Sequence, residues 1–196
     1  MDNKKNSLTV KDCINIGVFA AFYIVIFFVT SFIGYIPIML VVLSVLCGIV
    51  CGIPLMVFFS KAHVFGMVTI FGIIMGLFML VMGRPWYSIL TAVVAGVAAD
   101  LWMKTGEYKS ISKAVIGSGI FSLWMLGMIM PLYFGRDAYL LSVAEGYGEE
   151  FANTLEKITP GWSFVLLVVL TFVGGILGGL LGKAVLKKHF KKAGMA

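Results

Sequence analysis

Charge is what this sequence has least of. Only 12% of its 196 residues are Asp, Glu, Lys or Arg, about half of what a soluble domain carries. From Cys13 to Ser60 there is no charged residue and no histidine, a run of 48 positions, where one bilayer crossing needs about 20. A soluble protein of this size cannot hide so much apolar surface, whereas lipid accepts it if the backbone satisfies itself as helix. Histidine is almost missing. His63 and His189 are the only two, which excludes a histidine-rich metal site. The three cysteines, Cys13, Cys47 and Cys51, all lie in apolar stretches, so no disulfide framework is expected. Cys47 and Cys51 share a helix face and read as small packing residues. A cleavable leader is not expected either, because the apolar run after Lys11 is too long for one.

What the chain has is apolar length. Its hydrophobic fraction is 61% and its mean hydropathy +1.05. We read residues 1–196 as a single all-α, integral membrane six-helix bundle. Gly34-Tyr35-Ile36-Pro37 breaks the long run, pairing a flexible residue with a proline. The spans then fall at about 13–33, 38–59, 64–82, 86–103, 114–134 and 162–182, at the usual boundary tolerance. Pro54 should kink the second helix or mark its end, and Gly83-Arg84-Pro85 closes the third.

Lysine and arginine orient the bundle. With the N-terminus in the cytoplasm, the inner segments hold twelve: Lys4, Lys5, Lys11, Lys61, Lys104, Lys109, Lys113, Lys183, Lys187, Lys188, Lys191 and Lys192. The outer segments hold three, Arg84, Arg136 and Lys157. Basic residues accumulate on cytoplasmic flanks, so both termini are expected in the cytoplasm and the protein in the cell membrane. The net charge of +6 is explained by that asymmetry, with no need for nucleic acid. Between the fifth and sixth spans, Leu140, Leu141, Ala144, Tyr147, Phe151, Leu155 and Ile158 recur at spacings of three and four, a helical period. Gly146 and Gly148 interrupt it. The segment reads as a partly helical outer loop, either a lid or a surface-lying helix.

No catalytic constellation emerges, and an enzyme is not expected. Gly117-Ser118-Gly119 is the kind of turn an intramembrane serine protease uses, but no histidine lies at matching depth to act as its base. Glu149-Glu150 lies outside the apolar core without helical histidines. No metal or cofactor site is read. Asp100 is the one acid inside a predicted span. It is four residues from Lys104, a spacing that permits a pair on one helix face; the alternative is a polar contact for a cytoplasmic partner.

Small residues and outer aromatics carry more information. Gly17 and Ala21 are four apart in the first helix, with Ala20 beside them, and Gly174, Gly178 and Gly182 form a ladder in the last, with Gly175 and Gly179 as a second. Such spacing allows close helix approach, within the chain for the last helix and toward a partner subunit for the first. Tyr35, Arg84, Trp86, Tyr87, Tyr139 and Tyr147 converge on the outer side. An interfacial aromatic belt accounts for part of this set. Arg84, between Gly83 and Pro85, has a planar fork suited to an anionic or carbonyl group.

Six helices in under 200 residues, a small-residue motif in the first helix and a lysine-rich inner side resemble the S components of energy-coupling factor (ECF) transporters. More narrowly, Leu8-Thr9-Val10-Lys11-Asp12, Gly17-Val18-Phe19-Ala20-Ala21 and Gly83-Arg84-Pro85-Trp86 resemble the Trep_Strep group, also called the MptD family of S components, over essentially the whole chain. The resemblance implies a substrate-capture subunit that works with a membrane T component and two ATPases. It implies that the first-helix motif, usually alanine–three residues–alanine, meets the T component. Gly17 and Ala21 occupy those positions, and the glycine is a departure that keeps the small–small spacing. It further implies an outer pocket covered by loops 1–2, 3–4 and 5–6, for a vitamin, a precursor or a metal ion. Metal-specific relatives carry an N-terminal histidine-rich sequence that this chain lacks, so a small organic solute is expected. A membrane interaction or scaffold protein without a ligand is the alternative.

Overall fold

The computed structural model describes residues 7–192, with side chains to Lys187; Lys4 and Lys5, and the side chains of Lys188, His189, Lys191 and Lys192, lie outside the described residues. The described residues form helices and no strand. In chain order these are α1 (Val10–Ser31), α2 (Pro37–Phe59), α3 (Met67–Val81), α4 (Tyr87–Lys104), α5 (Ile111–Ser122), the single turn α6 (Leu126–Ile129), α7 (Arg136–Tyr147), α8 (Glu149–Ile158) and α9 (Ser163–Lys192). Lys61, Lys104, Lys109, Lys113, Lys183 and Lys187 mark one end of the bundle; Arg84, in the α3–α4 loop, and Arg136 and Lys157, in α7 and α8, lie toward the other.

Among the described residues, five segments are long and apolar enough to cross a membrane: Val10–Tyr35, Pro37–Phe59, Tyr87–Lys104, Ile111–Leu132 and Ser163–Lys187. The third expected span is shorter than 64–82, because α3 has 15 residues, about 22 Å at 1.5 Å per residue. Both its limits are glycines in the left-handed region. Gly66 (φ 103°) precedes it and Gly83 (φ 77°) follows it, a conformation costly for any residue with a Cβ.

Local chemistry sets the other boundaries. Helix α1 starts three residues earlier than its hydropathy indicates, because Thr9 and Asp12 form a capping box: Asp12 N–H donates to Thr9 Oγ1 at 3.3 Å and Thr9 N–H to Asp12 Oδ2 at 2.9 Å. That pairing satisfies two backbone donors that a helix start otherwise orphans. Pro54 lies inside α2 without ending it. The fifth span is not one regular helix. It tightens to 3₁₀ at Leu123–Met125 and again at Met130–Leu132. Pro131 has no N–H to offer Gly127 four residues back, and Ser88 Oγ donates to that carbonyl at 3.2 Å instead. Thr91 Oγ1 likewise serves the Trp124 carbonyl at 3.3 Å. In lipid, freed backbone groups must find such partners.

A glycine seam holds the bundle together. A Cβ added at Gly48 would stand 3.0 Å from the Gly175 backbone nitrogen, and one at Gly174 would stand 2.8 Å from the Val45 carbonyl. One at Gly178 would penetrate the Gly48 and Ile49 carbonyls. Gly175 and Gly179 meet Ser118 and its neighbours on α5 by the adjoining face of α9. The two ladders of the last helix are therefore spent on α2 and α5, within the chain. Across the same seam, Ser44 and Thr171 hydroxyls lie 2.8 Å apart, Ser122 donates to the Thr171 carbonyl at 2.9 Å, and Ser118 to the Gly175 carbonyl at 2.6 Å. Small residues permit the approach and the hydroxyls then bond across it.

Candidate functional site

Asp100 corrects one expectation. It forms no ion pair with Lys104, whose ammonium lies 5.5 Å from the Phe65 ring centre. Asp100 is fully buried, and its Oδ2 accepts from Gly66 N–H at 2.8 Å, Thr69 N–H at 3.0 Å and Thr69 Oγ1 at 2.9 Å. A carboxylate from α4 thus serves as the N-terminal cap of α3, which glycine at position 66 cannot provide itself. Its Oδ1 accepts from the Tyr108 hydroxyl at 2.6 Å. Tyr108 follows Glu107, and both hold left-handed backbone (φ 58° and 52°). Burial, then the hydrogen bond and charge of Asp100, pushes the Tyr108 phenol well above its ordinary range, so it stays a donor. This network fastens two loops at the lysine-rich end and holds the Asp100 carboxylate away from the surface.

The opposite end is built differently. A cavity of about 240 Å³ opens between the ends of α1 and α3 and the start of α2. Its walls are mostly Phe, Leu and Met, among them Phe27, Phe32, Leu43, Phe78 and Met128. Arg84 is its only charged lining residue, and Ser31, Tyr35 and Tyr147 supply hydroxyls. The chain aims Arg84 there by a helix-end motif. Gly83 N–H donates to the Leu80 carbonyl at 3.0 Å and Arg84 N–H to the Met79 carbonyl at 2.9 Å, the two bonds of a Schellman ending with glycine at the left-handed position. Among the described residues the Arg84 guanidinium has no hydrogen-bond or ion-pair partner.

Arg136 contrasts with it. Its fork donates to the Thr159 carbonyl at 2.6 Å and the Glu156 carbonyl at 2.7 Å, closing the C-terminus of α8, where a cation is favoured. The segment between the fifth expected span and α9 is a helical hairpin, α7 and α8, broken at Gly148 (φ 93°) while Gly146 stays helical. Val143, Ala152 and Leu155 point inward, whereas Leu141 is exposed, a correction to the expected apolar stripe. At the hairpin's tip Tyr147 stacks on Phe151 with ring centres 5.0 Å apart and reaches Tyr35 at 5.8 Å. The hairpin therefore closes one side of the cavity.

Of the six expected binding residues, the structure brings Arg84, Tyr35 and Tyr147 together. Trp86, Tyr87 and Tyr139 do not line the cavity. Trp86 is 71% exposed, and Tyr87 packs edge-on against it at 5.9 Å, an arrangement that fits an aromatic belt. Nothing in the sequence sets the phenylalanines and methionines of the wall apart from lipid-facing neighbours. In α1, Gly17 and Ala21 are exposed beside Val18 and Phe22, and a Cβ on Gly17 would meet nothing within 4 Å. Ala20 turns into the core at 2% exposure, so the small-residue surface consists of Gly17 and Ala21. The Ser118 hydroxyl is bonded into the glycine seam, donating to the Val115 and Gly175 carbonyls.

Long apolar helices, polar groups satisfied across their seams and a small cavity at one end define a multi-pass helical membrane protein. The chain belongs to the Trep_Strep family, hypothetical bacterial integral membrane proteins, whose model matches residues 10–192. No curated protein and no solved structure matches it.

Proposed function

We propose that this protein is the substrate-capture subunit of an ATP-driven uptake transporter of the energy-coupling factor type, with six spans and both termini in the cytoplasm. The observation that carries the reading is the cavity opposite the lysine-rich end, mostly apolar, with a few hydroxyls and one arginine that has no partner among the described residues. Binding sites commonly combine an apolar lining with a few placed polar groups. By the basic bias, that cavity faces outward. Its solute is a small organic molecule, a vitamin or related precursor, with an apolar body and one anionic or carbonyl group for the Arg84 fork. Tyr35 and Tyr147 close over it from the 1–2 loop and the α7–α8 hairpin. The exposed Gly17–Ala21 surface near the other end of α1 is the contact for a T component, which couples to two ATPases.

Two measurements test this. Mass spectrometry of small molecules retained by the purified protein should find a solute of that class. Affinity capture from native membranes should recover a T component and ATPases. A protein that retains no solute and recovers neither partner would be a membrane scaffold instead.

A further inference from the structure

At the lysine-rich end, a trough of about 650 Å³ opens between the ends of α2 and α9 and the start of α5. Its floor is apolar, including Phe59, Ala114 and Leu186, and Lys183 and Lys187 stand on its rim. Lys109 also reaches the rim but is paired with Glu107 at 3.2 Å. Lys183 and Lys187 are exposed and have no ion-pair partner among the described residues. Among the described residues no acid lines the trough. A largely apolar slot at the lysine-rich end of the bundle, beneath two ammonium groups unpaired among the described residues, matches one occupant in chemistry and, on the membrane reading, in position. We infer that the trough seats an anionic phospholipid, its phosphate between Lys183 and Lys187 and an acyl chain along Phe59, Ala114 and Leu186.

The physical case has two parts. Two lysines at a membrane surface attract an anionic headgroup with about 1 kcal/mol each, on the order of tenfold or more in affinity together. The slot adds what a diffuse basic surface lacks, a shape that selects a lipid chain. The inference rests on the membrane reading alone and stands whether or not the protein captures a solute.

Native mass spectrometry on the full chain, with phosphatidylglycerol and phosphatidylcholine of matched acyl chains, tests it. The wild type should retain phosphatidylglycerol in preference. The Lys183→Gln/Lys187→Gln variant should lose about tenfold or more of that affinity. Ala114→Phe, which fills the slot and leaves every lysine in place, should lose it as well, while Lys157→Gln at the other end should not. An unchanged melting temperature in zwitterionic detergent establishes that each variant is folded. Inorganic phosphate at millimolar concentration should not displace the lipid. The inference is overturned by equal retention of the two lipids, by full retention in the folded double-lysine variant or in Ala114→Phe, or by displacement with phosphate alone.

Discussion

The two ends of this bundle spend their polar groups in opposite ways. At the lysine-rich end the buried acid is saturated: Asp100 accepts from Gly66, Thr69 and Tyr108. At the other end a cation, Arg84, borders an apolar cavity with no partner among the described residues. Unpaired buried or half-buried charge is costly and is tolerated where something else completes it. The saturated acid therefore reads as fastening, and the unpartnered Arg84 is the group on which the proposed solute site rests. The glycine seam between them, α2 against α9 against α5, is the rigid body that holds both.

Mutations sharpen that contrast. The largest effect is expected at the seam. Gly178→Leu places a side chain into the Gly48 and Ile49 carbonyls. Overpacking costs typically 1–3 kcal/mol, and with backbone as the obstacle the cost should reach about 3 kcal/mol or more. Loss of the monodisperse peak in fluorescence-detected size exclusion would show it. A normally folded Gly178→Leu protein would mean that the seam is not closely packed.

Arg84→Ala comes next and should leave the fold intact. It should weaken solute binding by about 2–5 kcal/mol, roughly 30-fold or more, read by titration calorimetry once the retained solute is known. Unchanged affinity in the folded variant would make Arg84 an interfacial arginine and erase the difference between the two ends. Asp100→Ala should show the reverse profile. It orphans donors from Gly66, Thr69 and Tyr108 and should cost about 1–3 kcal/mol of stability, with little change in solute affinity. Thermal unfolding in detergent measures the first and calorimetry the second.

The smallest effect on the fold is expected from Ala21→Trp. Its side chain projects from an exposed face, and such substitutions usually stay within about 0.5 kcal/mol. Pull-down of a T component and ATPases should nonetheless fail. Full recovery of those partners would remove the docking role from this surface. Orientation is tested without touching stability at all. In a cysteine-free background, an impermeant thiol reagent outside the cell should label a cysteine at Glu149 but not one at Lys187. The reverse pattern would exchange the two faces.

Much of this architecture is written in the linear chain, because lipid imposes a simple rule. A run such as Cys13–Ser60 without charge has no stable home but membrane helix, and Gly-Tyr-Ile-Pro at 34–37 must break it. The helix starts at Thr9 and Ser110 and the end at Gly83 follow from capping chemistry local to a few residues. Arg84 was conspicuous for the same reason, as a lone charge beside a glycine and before a proline.

Inside from outside was not legible, because helices apolar on every side carry no amphipathic period to separate lipid from neighbour. Ala20 and Ala21 are adjacent small residues, yet one is in the core and the other on the surface. Phe27 and Phe78, 51 positions apart in sequence, share the cavity wall, and no spacing within either helix announces that meeting. Asp100 looked like half of a local pair with Lys104; the fold brings Gly66 and Thr69 to it from 34 and 31 residues away. Membrane residence, most helix limits and the lone arginine were determined by composition and short-range chemistry. Which face each helix buries, which tyrosines reach that arginine and what Asp100 holds were decided only when the glycine seam set the helices against one another, since those contacts depend on distance in space.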